Sequence, residues 1–171
     1  MARDAQRSRV YAAEAVIRRV FDRAERSGAR AVEMHGSTIT LPVERRFASI
    51  ESMQHYVDLV LSQWWVRAAW PERSGVPVTV RERRGQAEAH YEPASATIAV
   101  PPYANNRAWA MRELVLLHEI AHHLAPDHDH EAHGPEFVDR FTTLVDEIVG
   151  PEAGLLLRAA MHEGGVRLAV P

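Results

Sequence analysis

Three observations predict an α+β fold for this chain, with a small mixed or antiparallel sheet packed on helices. Apolar residues recur at helical spacing near both ends, and short segments of strand character cluster between residues 78 and 100. No internal repeat, low-complexity tract or interdomain linker divides the 171 residues. One domain over 1–171 is therefore expected, with its core at about 78–149. A chain of this size buries roughly two-thirds of the surface that its unfolded form exposes, and it can fold without disulfides.

The elements follow in order. Val10, Ala13, Ile17, Val20, Phe21 and Ala24 mark an amphipathic helix over about 4–27, which Gly28 stops. Thr38 to Pro42 is a short strand candidate. Ser49 suits the cap of a second helix over roughly 50–66, with Ile50, Met53, Val57, Val60 and Trp64 as its apolar line. Trp65 and Trp70 widen that face, and all are read as core. Pro71 to Pro77 breaks the pattern.

Val78 to Glu82 begins with the alternation of a half-buried strand, and Gln86–Glu92 and Ala96–Val100 look like two more. Pro101 and Pro102 end that segment. A helix is expected from about Arg107 to Leu124, capped by Asn105 or Asn106 and stopped by Pro126. Residues 127–134 form a polar, histidine-rich connection. Pro135 then suits the first turn of a helix striped by Phe137, Phe141, Leu144 and Ile148. Gly150-Pro151 separates it from a last helix, about 152–162.

Composition removes several function classes. The chain has no cysteine, which excludes a disulfide framework, a zinc ribbon and a thiol nucleophile. No apolar run approaches the ~18 residues that span a bilayer, and Met1 to Arg9 lacks the apolar stretch of a signal peptide. The expectation is a cytoplasmic protein with no membrane partner. All 20 basic residues are arginines, scattered rather than clustered, and the net charge is −3. Residues 1–110 carry 16 arginines against 12 acids, whereas residues 111–171 carry 4 against 11. An acidic chain does not support a dedicated nucleic-acid binder. The acidic surplus surrounds the histidines, where a cation site tolerates it.

The chemistry lies in Leu116-Leu117-His118-Glu119-Ile120-Ala121-His122-His123-Leu124, which contains the pattern HExxH. Residues four apart on a helix lie one above the other, so His118 and His122 can aim their imidazoles at one ion. Glu119 projects beside them, where it can take a proton from a water held by the metal. Leu114, Val115 and Leu117 bury the helix and so keep the ligands rigid.

A catalytic zinc keeps three protein ligands and one open position. The third ligand must follow the Pro126 break, and the candidates are His128, His130 and His133. His133 is preferred, because Gly134 permits a tight turn and Pro135 starts a helix that fixes the histidine. His128 and His130 belong to a polar Asp-His-Asp-His-Glu run. His123 falls off the metal-facing side and reads as a surface residue or a neighbour of the ligands.

His118-Glu-Ile-Ala-His122, ten intervening residues and then His133-Gly-Pro-Glu-Phe137 resemble the SprT-like zinc metalloprotease pattern. The run from about His90 to Phe137, a quarter of the chain, is more closely similar to a group of actinobacterial metallohydrolases related to SprT-like proteins. The resemblance implies a minimal zincin-like domain, a Zn2+ ion on His118, His122 and His133, Glu119 as general base, and a peptide or protein substrate. The chain departs from that family in lacking a cysteine zinc ribbon, so a role in DNA repair does not carry over.

In the expected mechanism Glu119 takes the water proton and returns it to the departing amine. Tyr91, Tyr103 and His162 are candidate helpers for the oxyanion, and Ala96–Val100 is a candidate sheet edge for an extended substrate. Two rivals remain. His118, His122 and His128 have the spacing of YbeY-like endoribonucleases, although those enzymes place Gly where this chain has Glu119. A zinc-stabilised binding or regulatory protein without turnover would close the metal with a fourth ligand.

Overall fold

The computed structural model describes residues 4–83, 85, 88–101, 110–126 and 131–169. It is α+β, with seven helices and two small sheets among the described residues. The chain divides into two compact units, one drawn from Met1–Glu44 and Asp129–Pro171, the other from Arg45–His128. No helix among the described residues is long and apolar enough to cross a membrane.

The first unit is built on three helices. α1 (Arg7–Ser27) buries Val10, Ala13, Ile17, Phe21 and Ala24, all five at the 3–4-residue spacing the sequence predicts, and ends at Gly28 with φ 70°. α6 (Pro135–Ile148) buries Phe137, Val138, Phe141, Leu144 and Val145, and α7 (Pro151–Glu163) buries Ala153, Leu156, Leu157 and Met161. α7 packs against both α1 and α6, so these apolar stripes face one another and form the core of the unit.

The strand expected at Thr38–Pro42 is observed as β2 (Ser37–Thr40), paired antiparallel with β1 (Ala31–Met34). β1 and the hairpin escaped the sequence reading. Their turn residues His35 and Gly36 both take positive φ, 48° and 79°, the geometry of a two-residue hairpin turn that matches strand twist. Glycine adopts that conformation readily.

The second unit holds α2 (Ile50–Ser62), α3 (Trp64–Ala69), the single turn α4 (Pro71–Ser74), the strands β3 (Thr79–Glu82), β4 (His90–Glu92) and β5 (Thr97–Val100), and α5 (Glu113–His123). Ser49 caps α2 as expected, in a reciprocal box with Ser52. The helix expected over 50–66 breaks at Gln63, which is extended at ψ 134°. That break turns the following residues off the buried face of α2. Trp64, read as core, is 79% exposed, while Val66 is buried.

β5 is central in a three-stranded mixed sheet, parallel to β3 and antiparallel to β4. This corrects the assignment of Ala96–Val100 as a substrate-pairing edge. Both sides of β5 are already hydrogen-bonded, and all four of its residues are buried. α2 packs against β3, and α5 packs against β4 and touches α2.

α5 starts at Glu113, later than the expected Arg107. Residues 105–109 lie outside the described residues, and Arg112 is extended at φ −134°, ψ 153°. The cause lies in Arg45–Phe47. Arg46 bridges Arg112, Phe47 N–H bonds Met111 O at 3.0 Å, and Glu113 N–H bonds Arg45 O at 3.0 Å. The backbone before α5 is thus engaged in strand-like pairing and cannot wind into the helix.

Candidate metal centre

Within the second unit, α5 is buried on nearly all sides, which an almost continuous apolar run permits. Glu113 is a fully buried acid at the helix start. Its carboxylate accepts hydrogen bonds from the Tyr56 hydroxyl at 2.6 Å, from Arg45 N–H at 3.0 Å and from the Arg45 guanidinium. The bond and charge of Glu113 raise the Arg45 pKa above its ordinary value. An acid in the first helical turn also faces the positive end of the helix dipole. These contacts anchor the N-terminal end of α5.

One and a half turns further on, His118 and His122 bring their Nε2 atoms to 3.1 Å, with ring centroids 4.8 Å apart. Two nitrogens held about 2.0–2.1 Å from one tetrahedral zinc would lie about 3.3 Å apart. The pair therefore sits close to chelating geometry. His118 and Glu119 are buried, at 3% and 4% exposure, and His122 is half-buried. Burial strengthens any charge interaction made there and limits side-chain freedom.

His123 has a different role from the surface position allowed by the sequence. It is 0% exposed. Its Nε2 faces Arg73 O at 2.9 Å and its Nδ1 faces the Tyr91 hydroxyl at 2.9 Å. A carbonyl only accepts, so Nε2 carries the proton and Nδ1 accepts from Tyr91. Arg73 completes the ring of contacts, donating to His123 O at 3.0 Å and to the Tyr91 oxygen at 3.1 Å. Burial, and then the nearby Arg73 charge, push the His123 pKa down to about 4. The neutral ring ties the C-terminal end of α5 to α4 and β4. Tyr91, a candidate oxyanion helper, is engaged in this network.

Within the first unit, His133 is 5% exposed and lies just before α6. Gly134 N–H bonds Glu131 O at 2.8 Å, closing the tight turn that the sequence predicts. Gly134 is extended at φ −68°, so close approach and not φ favours glycine here. A Cβ at that position would lie 3.0 Å from Glu131 O and 3.1 Å from Glu136 Oε2. Pro135 occupies the first helical turn, as expected. The imidazole of His133 packs edge-on to Phe137 at 4.9 Å and is tilted against Tyr11 at 5.4 Å. Its Nδ1 lies 2.7 Å from Asp4 Oδ2, and Gln6 Nε2 donates to its carbonyl at 2.6 Å.

No protein-family model, curated protein or solved structure matches this chain.

His118, His122 and His133 each offer one ring nitrogen that can serve a metal ion. His118 and His122 are brought together on α5, and His133 is placed in the other unit. His128, His130 and Tyr103 lie outside the described residues, and His162 is exposed on α7. Asp4, Gln6, Tyr56 and Arg73 belong to no motif of the sequence, yet they support these histidines and their helix. Glu113 carried a readable signal, being one acid at the head of an apolar run. Asp4 carried none, because 129 residues separate it from His133.

Proposed function

We propose that this protein is a zinc-dependent metallohydrolase of zincin type, most specifically a metallopeptidase. The reading rests above all on the two Nε2 atoms of His118 and His122, 3.1 Å apart on a buried helix with Glu119 beside them. Neutral imidazoles suit zinc, and His133 supplies the third in the proposed set. Three histidines would leave one coordination position for water or substrate. The resemblance of His118–His122 and His133–Phe137 to the SprT-like pattern supports peptide-bond hydrolysis as the reaction.

When bound, zinc supplies Lewis acidity, which acidifies a water and polarises a carbonyl. The chain's own residues do the rest. His118 and His122 hold the ion from one helix face, and the two anchored ends of α5 limit their drift. Glu119 accepts the proton of the attacking water and passes it to the departing amine.

The test is zinc content of the purified protein, with His133→Ala and His128→Ala in parallel, followed by peptidase assays of wild type and Glu119→Gln. The reading expects about one zinc per chain, lost in His133→Ala and kept in His128→Ala and Glu119→Gln. Turnover should fall by about 10²–10⁴-fold in Glu119→Gln. Loss of zinc on His128→Ala alone moves the assignment to an endoribonuclease-like site. An active, metal-replete Glu119→Gln protein overturns the mechanism.

A further inference from the structure

We infer that Asp4 is the positioning residue for His133, fixing the tautomer and ring orientation in which that histidine can ligate a metal. The inference rests on the proposed zinc site and adds a residue to it. Its basis lies wholly within the first unit.

Asp4 Oδ2 is 2.7 Å from His133 Nδ1, at the short end for a nitrogen–oxygen hydrogen bond to a charged acceptor. An ionised carboxylate only accepts, so the proton of a neutral ring is held on Nδ1. Nε2 is then the nitrogen with a lone pair directed away from Asp4. A histidine that ligates through one nitrogen commonly donates its other N–H to a carboxylate, which fixes the ring and raises its basicity. The His133 side chain is 6% exposed and that of Asp4 25%, so water competes weakly for the bond.

The backbone around the pair is also latched. Gln6 donates to His133 O at 2.6 Å and accepts from Arg167 N–H at 2.9 Å. The Glu131 carboxylate accepts from the backbone N–H of Ala5 and Gln6 and pairs with Arg167. Residues 4–6 are thereby pinned over the Glu131–Gly134 turn, which keeps the Asp4 carboxylate within reach of the ring. Tyr11 and Phe137 restrict rotation of the imidazole. His133 is thus held at once through its backbone carbonyl, its Nδ1 and its aromatic neighbours.

The experiment compares full-length wild type with Asp4→Asn, Asp4→Ala and Asp4→Glu. Zinc affinity is measured by competition with a chromophoric chelator, and thermal unfolding of each metal-free protein is followed alongside. Nitrogen-15 NMR of the imidazoles reports the His133 tautomer. Asp4→Ala should weaken zinc binding by about 10–100-fold, with a smaller loss in Asp4→Asn and partial recovery in Asp4→Glu. The metal-free melting temperatures should change little, and the Nδ1–H form of His133 should lose population in Asp4→Ala. Wild-type zinc affinity in Asp4→Ala overturns the inference alone. A loss of affinity matched by equal loss of metal-free stability, with the tautomer unchanged, also overturns it. If wild type binds no zinc, the metal reading fails and this inference with it.

Discussion

The Tyr56 hydroxyl donates to the buried Glu113 carboxylate at 2.6 Å, joining α2 to the first residue of the helix that carries the HExxH pattern. Glu113 also receives Arg45 N–H, so one side chain gathers α2, the Arg45–Phe47 segment and α5. A carboxylate with 0% exposure is tolerable only with such partners. The rigidity expected of a metal helix thus originates five residues before its first histidine.

Substitution of Glu113 should therefore destabilise the protein strongly for a single polar change. Glu113→Ala removes the carboxylate that accepts from the Tyr56 hydroxyl and Arg45 N–H and leaves a void. The expected cost is about 2–4 kcal/mol, read from urea unfolding. Tyr56→Phe removes one donor and leaves the other bonds, so about 1 kcal/mol is expected. Equal costs for both variants would show that Glu113 does not gather these segments.

His123 gives a pH dependence whose sign is fixed by burial. Its folded pKa, about 4, lies below the ordinary value of 6.5, so the folded protein disfavours the charged ring. The stabilising contribution is complete above 6.5, declines as pH falls through the window from 6.5 to about 4, and is absent below it. A difference of this size corresponds to roughly 3 kcal/mol at most. An NMR titration of the metal-free protein should find the His123 ring neutral at pH 5, as its Nε2–H tautomer. Protonation near 6.5 would contradict the network with Arg73 and Tyr91.

Metal removal should lower stability in a way tied to the histidines. Free zinc at 100 times its dissociation constant adds about 2.7 kcal/mol to a protein that binds it only when folded. For a chain of this length that is a rise of several degrees in melting temperature. Chelator-treated wild type should melt lower than zinc-loaded wild type, and His118→Ala should show no such difference. Identical melting of the two wild-type samples would count against the site.

The parts of this structure legible in sequence are those governed by local rules. The stripe from Val10 to Ala24, the Ser49 cap, the Pro135 helix start and the four-residue spacing of His118 and His122 all rest on contacts within a turn or two. What escaped depends on distant partners. The α5 start at Glu113 is set by Arg45–Phe47, about seventy residues away in sequence. β5 is central because β3 and β4 both pair with it, which no property of residues 97–100 announces. His123 differs from a surface histidine only through Arg73 and Tyr91. Asp4 reaches His133 across most of the chain, so neither spacing nor periodicity could reveal it.

The turn before α6 offers a test that leaves every proposed ligand in place. A Cβ on Gly134 would sit 3.0 Å from the Glu131 carbonyl oxygen and 3.3 Å from its Cβ. The Glu131 carbonyl is held by the Gly134 N–H at 2.8 Å, so it cannot retreat without loosening the turn. Its carboxylate also accepts from Gln6 N–H, so movement there disturbs the segment that carries Asp4. Gly134→Ala should therefore displace the backbone of His133 by a few tenths of an ångström while α6, begun by Pro135, persists. The expected result is a weaker zinc site, by about 10-fold on the scale of supporting-residue effects, with helical content unchanged by circular dichroism. Unchanged zinc affinity in a folded Gly134→Ala protein would mean that the turn does not set the position of His133, and its third-ligand role would lose this support.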